Sequence, residues 1–573
     1  MMLEPLRRRV FRSTGIPFRL GTLARQPLAS AAPASRARGC VSSDRLWRSV
    51  GAGVGLLTAL LPLPSSRSAE VLLLANRAAT VASAAAGIRA DQVTDHVRLL
   101  ADDTLEGREA GSRGGYAAGN YLARFVQATL QPAGDSGQFF QMFAPNYRNL
   151  LGVLPGSDPE LRDEYILLGA HYDHVGYGSA TTSRGPIGSI HNGADDNASG
   201  TAAVLEILQA FTETRLPTRR SILFALWDGE EKGLLGSQHF IQNPTIPLAQ
   251  IRLALNVDMI GRLRNQQLEV YGTRTMAGLR SLVSQANQQS DLRVLFPWRI
   301  EANSDHQSFF ARQIPILTFH TGLHEEYHRP SDDVELVNAE GVASTAKLIF
   351  RTVDALANAD ELPTFRLAST HETDATRRVL EAPSPPQPPR LGIRWEALPN
   401  AAGVALQISQ VIAGSDADRA GLRPGDRITH VDGLPLRDAT PLQQRAVTAT
   451  ELQLTLDAPR EVTIRFSTPP TKIGISWRED PAEPGALTIV RVVPHSPAEL
   501  AGLALGDRIL QFDGRSFANG QEFAALAREC QLPAPLVVER LGQLMERRLP
   551  RFGDLTTEDT EGKVTTESTV EGP

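Results

Sequence analysis

The chain has 573 residues, 42% hydrophobic and 21% charged, a balance that excludes a disordered polymer and, at this length, a single core; about three or four domains are expected. The net charge of -6 is unevenly spread: residues 1–69 hold eleven Arg and no Lys against Glu4 and Asp44, a balance of +9 that leaves -15 for residues 70–573. So acidic a body excludes nucleic acid as a partner.

Residues 1–69 read as a targeting segment. Arg45 and Arg48 precede an apolar run over residues 50–64, and small residues near Ala69 suit cleavage. A run of about 15 residues falls short of the ~20 needed to span a bilayer, so export to a secreted or periplasmic destination is expected, with no membrane span in the mature chain. An uncleaved anchor or an organellar transit peptide is the alternative. Cys40 lies in this leader, leaving Cys530 alone beyond it and no internal disulfide to form. Residues 70–87 read as a linker.

Residues 88–360 alternate strand-like runs (YILLGA, SILFALW, LALNVD, LEVYG, IPILTFH) with helix-like ones (SGTAAVLEILQAF, GLLGSQHF). This alternation predicts an α/β domain, a mainly parallel sheet covered by helices on both faces. The Gly- and Ser-rich stretch 177–192 is long enough to form a rim or lid. Residues 361–387, ending in a Pro run, read as a linker.

Beyond the linker the sequence repeats. LGIRW at Leu391 recurs as IGISW at Ile473, and AGLRPGDRI at Ala420 as AGLALGDRI at Ala501, a period of about 81 residues. Residues 388–468 and 470–550 resemble PDZ domains, small β-rich folds; the resemblance implies binding of extended peptide tails by strand addition. Structural spacers are the alternative. Residues 551–573 are polar, acidic and expected to be disordered.

The chemistry lies in the α/β region, where polar groups follow apolar runs or sit in turns: His171 and Asp173 in LLGAHYDH, Asp195 and Asp196 in GADDNASG, Glu230 and Glu231 in LFALWDGEE, Asp258 in LALNVD and His328 in YHRP. Strand ends are where an open α/β sheet gathers its ligands. A pair of zinc ions needs a bridging carboxylate and about two further ligands per metal. Asp196, in a small-residue turn, is the candidate bridge, with Asp195 its rival. Asp173 is placed to accept the ring N–H of His171. Of the adjacent acids, Glu231 is assigned to metal and Glu230 to general base.

Residues of about 90–360 resemble the superfamily of zinc-dependent aminopeptidases, glutamate carboxypeptidases and transferrin receptors, through GADDNASG, the five ligand positions, LEGREAGSRGGYAAGNYLA and SDHQSFFARQIPILTF. The resemblance implies one zinc on His171, Asp196 and Asp258 and a second on Asp196, Glu231 and His328. It further implies that Glu230 activates water and that Tyr327 stabilises an oxyanion. The function expected is a two-zinc exopeptidase removing N-terminal residues from peptides. A carboxypeptidase, a glutaminyl cyclase and an inert peptide-binding scaffold are the alternatives.

Overall fold

The computed structural model describes residues 66–386, 389–400, 403–458 and 460–551, with side chains from residue 75 onwards. The leader up to residue 65 and the tail 552–573 lie outside the described residues. No described helix is long and apolar enough to cross a membrane.

Nine strands form one sheet: β1 (Gln131–Pro132), β2 (Phe140–Phe143), β3 (Tyr147–Leu154), β4 (Tyr165–His171), β5 (Ser221–Trp227), β6 (Ile251–Val257), β7 (Gln267–Tyr271), β8 (Arg293–Leu295) and β9 (Ile316–His320). Their order is β1-β3-β5-β4-β6-β9-β7-β8, with β2 paired to β3. The centre, β5-β4-β6-β9, is parallel. The flanks add antiparallel pairs, β3 with β5 and β7 with β9, so the whole sheet is mixed. All seven residues of β5 are buried, the pattern of a strand covered on both faces.

Among the described residues, nine α-helices accompany the sheet: α1 (Ser66–Gly87), α2 (Ala90–Leu100), α3 (Arg113–Thr129), α4 (Gly200–Glu213), α5 (Leu235–Gln242), α6 (Leu279–Ala286), α7 (His306–Phe310), α8 (Ala339–Asn358) and α9 (Asp374–Leu380). One core contains Leu205 and Leu208 of α4, Phe350 of α8 and Val97 of α2. A second core gathers Trp227, Phe240 of α5 and Phe309 of α7. Residues 70–87, read as a linker, belong instead to α1, whose Ala84 and Ala85 are buried in the first core; an Ala-rich segment has high helix propensity and needs only a surface to pack on.

Two antiparallel sheets follow. The first has β10 (Ile393–Asn400), β11 (Gly403–Val411), β12 (Arg427–Val431), β13 (Leu434–Pro435), β14 (Glu451–Leu456) and β15 (Glu461–Arg465), with α10 (Asp416–Arg419) and α11 (Thr440–Thr448). The second has β16 (Ile475–Glu479), β17 (Leu487–Val492), β18 (Arg508–Phe512), β19 (Ala534–Arg540) and β20 (Gln543–Leu549), with α12 (Pro497–Leu500) and α13 (Gly520–Glu529). The repeated segments LGIRW and IGISW lead into β10 and β16, which are edge strands.

The second module is bound to the α/β domain. Arg274 donates to both Asp480 (2.5 and 3.0 Å) and Glu372 (2.7 and 2.9 Å). Arg280 donates to Glu539 at 3.0 and 3.2 Å. The turn after β19 caps the edge strand β8, Val294 N–H donating to Leu541 at 2.8 Å. The stretch read as a free linker takes part: it forms α9, and Glu381 accepts from Arg508 of β18 at 2.9 Å. Isolated in the sequence, these charges look solvated; in the fold each has an opposite charge to face.

Candidate active site

The parallel strands deliver their C-terminal ends to one place. His171 ends β4, Glu230 and Glu231 lie three and four residues past β5, and Asp258 follows β6 directly. Asp196 sits in the Ala194–Ser199 turn that opens α4. Gly193 before it has φ +56, and a Cβ there would meet the Asp196 carbonyl at 2.2 Å and the His174 ring at 2.4 Å; only glycine admits so close a turn.

The two oxygens of Asp196 face two groups of donors. Oδ1 lies 3.3 Å from His171 Nε2, which is also 3.3 Å from Asp258 Oδ1. Oδ2 lies 3.1 Å from His328 Nε2, itself 3.1 Å from Glu231 Oε2. Asp195 turns away: its carboxylate accepts the Gly261 N–H at 2.5 Å and the Ser199 hydroxyl at 3.0 Å, and lies 3.0 Å from His324 Nε2. The structure therefore separates the two rivals that the sequence left side by side.

Both imidazoles are oriented through their other nitrogen. His328 Nδ1 donates to the Thr182 carbonyl at 2.7 Å and His171 Nδ1 to the Asp173 carbonyl at 3.2 Å, which turns each Nε2 towards the carboxylates. The Asp173 carboxylate is farther from His171 Nδ1, at 3.8 Å. It accepts instead the backbone N–H groups of Glu230 (3.1 Å) and Glu231 (3.3 Å), so it sets the position of the acidic pair. The stretch 177–192 packs beside His328, with Arg184 N–H donating to the His328 carbonyl at 2.9 Å. Tyr327 stacks on His328 at 3.9 Å, with the Arg184 guanidinium 4.5 Å from the other ring's centroid, that of Tyr327.

Three residues that sequence reading missed complete the arrangement. His174 Nδ1 donates to Glu231 Oε1 at 2.8 Å. Asp332 accepts the N–H groups of Asp195 and Asp196 at 2.9 and 3.1 Å and pairs with Arg262 at 2.8 Å. Asp305, fully buried at the start of α7, has both oxygens without a hydrogen-bond partner; burial pushes its carboxyl up to about 7 against the pull of His171. The second histidine of HYDH was a visible signal, whereas Asp332 in PSDD looks like any loop acid.

The donor set suits paired cations. His171, Glu230 and Asp258 offer ligand atoms within 4.8 Å of one another, as do His174, Asp196 and Glu231. The buried Nε2 atoms of His174 and His328 have no hydrogen-bond partner. Burial opposes a proton on His328, yet the Asp196 and Glu231 carboxylates, each 3.1 Å from Nε2, outweigh it and raise the ring to about 10: the carboxylates demand positive charge. Imidazole and carboxylate donors of this kind match zinc. Glu230 is driven up by burial, opposed by His171 and reinforced by Glu231, Asp305 and Asp258.

Residues 149–353 match Peptidase family M28, and residues 407–456 and 488–540 match a PDZ domain. The chain carries a peptidase family M28 domain. It is thus a zinc metallopeptidase, with two PDZ domains beside that one. A probable leucine aminopeptidase 1 of Trichophyton verrucosum is 28% identical over 265 residues, 42% of this chain and 68% of that one. Leupeptin-inactivating enzyme 1 of Streptomyces exfoliatus is 34% identical over 158 residues, covering 27% of this chain and 32% of its own length. Among solved structures, the LapA aminopeptidase of Legionella pneumophila is 22% identical with a TM-score of 0.41, over 49% of this chain and 75% of that one. Every one of the ligand positions named above lies within the M28 match.

Proposed function

We propose that the chain is an exported aminopeptidase that holds two zinc ions and removes N-terminal residues from peptides. The observation that carries the reading is the Asp196 carboxylate shared between the His171–Asp258 pair and the His328–Glu231 pair, with Glu230 beside them. His171, Asp196 and Asp258 would hold one ion and Asp196, Glu231 and His328 the other. When bound, the metals supply Lewis acidity that polarises the scissile carbonyl and acidifies a water.

The chain's own groups do the rest. Glu230 takes the proton of the attacking water and returns it to the leaving amine. Asp173 holds Glu230 in place through its backbone N–H. Tyr327, stacked on His328, offers its hydroxyl to the tetrahedral oxyanion. Aminopeptidase specificity is supported by the names of the relatives, leucine aminopeptidases among them. The PDZ domains, with β10 and β16 as open edges, take extended peptide by strand addition. Export rests on the Arg-rich leader and the apolar run that follows it; cell fractionation that leaves the protein in the cytoplasm would remove that part.

The test is zinc content together with cleavage of aminoacyl-nitroanilides and N-blocked peptides by purified full-length protein. Two zinc ions per chain and cleavage of free-amine substrates alone are expected. Glu230→Gln should lower kcat by ~10² or more with zinc retained, the scale of general-base catalysis. Cleavage from the carboxyl end, or full activity in that variant, would overturn the reading.

A further inference from the structure

A fully buried cation lies behind the metal ligands and is absent from the chemistry above. The Arg108 guanidinium has 0% exposure and, among the described residues, no carboxylate in contact with it. It donates to four backbone carbonyls instead: Tyr172 (3.0 Å), Leu100 (2.6 Å), Asn192 (2.6 Å) and Gly193 (2.9 Å). Tyr172 follows the ligand His171, and Asn192 and Gly193 lead into Asp196. One planar fork thus grips both loops that carry the shared carboxylate and its imidazole.

The backbone around it is built for the same grip. Glu106, Gly107 and Arg108 all have positive φ (51, 66 and 49°), a run that only specific contacts sustain. A Cβ on Gly107 would meet the His191 carbonyl at 2.4 Å and that of Gly176 at 2.7 Å, so the turn threads between the two loops. His174 N–H donates to the Arg108 carbonyl at 3.2 Å and Gly176 N–H to that of Gly107 at 3.1 Å. A buried guanidinium without a contact ion pair is costly. Burial lowers Arg108 to about 10, and the charges that oppose this are Asp196, Asp173, Asp332 and Glu231, the carboxylates of the site itself.

We infer that Arg108 is a positioning residue for metal loading, a built-in cation that sets the spacing of the His171 and Asp196 loops and holds the acidic cluster together before any ion arrives. The inference rests on the zinc reading above. Its consequence is that the fork's geometry, beyond its charge, governs zinc affinity: lysine keeps the charge but cannot grip four carbonyls at once.

The experiment measures zinc affinity by chelator competition on full-length parent, Arg108→Lys and Arg108→Met, together with the zinc-induced rise in unfolding temperature. Arg108→Met should bind zinc at least ~10-fold more weakly, the scale seen when groups supporting metal ligands are lost. Arg108→Lys should lie between it and the parent. The rise in unfolding temperature on adding zinc should shrink in the same order, because ligand stabilisation follows affinity. A purely structural role predicts equal destabilisation with and without zinc at unchanged affinity, and that result would overturn the inference. Should Arg108→Met fail to fold, Arg108→Lys with parental zinc affinity would overturn it alone. A parent that binds no zinc would sink the metal reading instead, so the two failures are distinguishable.

Discussion

Replacing Arg274 by Met would test whether the second PDZ domain is a fixed part of the peptidase. The guanidinium bonds twice to Asp480 of that domain and twice to Glu372 while stacking 3.6 Å from the Trp298 ring centroid. Asp480 has a side chain only 1% exposed; without Arg274 it keeps one partner, the Ala482 N–H at 2.9 Å. Glu372 retains Arg366. Methionine preserves much of the stem, so packing changes little and the loss is mainly that of a buried carboxylate's partner, ~3–5 kcal/mol. The expected readouts are a lower urea midpoint and faster proteolysis in the Pro-rich stretch 381–390. Arg274→Met/Asp480→Leu removes the orphaned charge and should recover most of the loss. A single variant with parental midpoint and proteolysis would refute the claim that this pair fastens the domains.

His174→Phe keeps the ring's shape but removes the donor to Glu231, and chelator competition should find zinc held ~10–100-fold more weakly. Asp332→Asn weakens the acceptor for the Asp196 N–H and unbalances buried Arg262; kcat/KM measured at saturating zinc should fall by a similar ~10–100-fold. Glu372 gives a pH signature: burial opposes its charge, but Arg274 and Arg366 outweigh that and hold its carboxyl down to about 2 from an ordinary 4.5. A depressed folded-state value means that this stabilisation is complete above pH 4.5 and is lost as pH falls towards 2. The urea midpoint of the parent should therefore decline more steeply across that window than that of Glu372→Gln.

What the sequence disclosed and what it hid divide along a physical line. His171, Glu231 and Asp258 stand at or just past the point where an apolar strand run stops, and a parallel sheet brings such ends together whatever its exact topology. The antiparallel flank β1–β3 was harder to read: β1 and β2 are short, and the YRNLLGVL run of β3 is not among the strand-like runs named from the sequence. The linkers misled for a related reason, since α1 and α9 gain stability from surfaces far away in the chain. Arg274 and Asp480 are 206 residues apart, and each by itself is indistinguishable from a solvated charge.

Adjacent residues set the sharper limit. Asp195 and Asp196 share composition, neighbours and turn, so spacing alone does not separate them, and it is the family resemblance that favours Asp196. Their roles divide through partners on other segments: Gly261 and His324 capture Asp195, while Asp332 takes both backbone N–H groups and leaves the Asp196 carboxylate free to face His171 and His328. The HYDH pair divides in the same way. His171 presents Nε2 to Asp196 and Asp258, whereas His174 spends Nδ1 on Glu231, a contact set by where β5 ends. A sequence motif names the donors a site can use; the carbonyls, amides and charges that claim the other face of each donor decide which of them remain available to a metal.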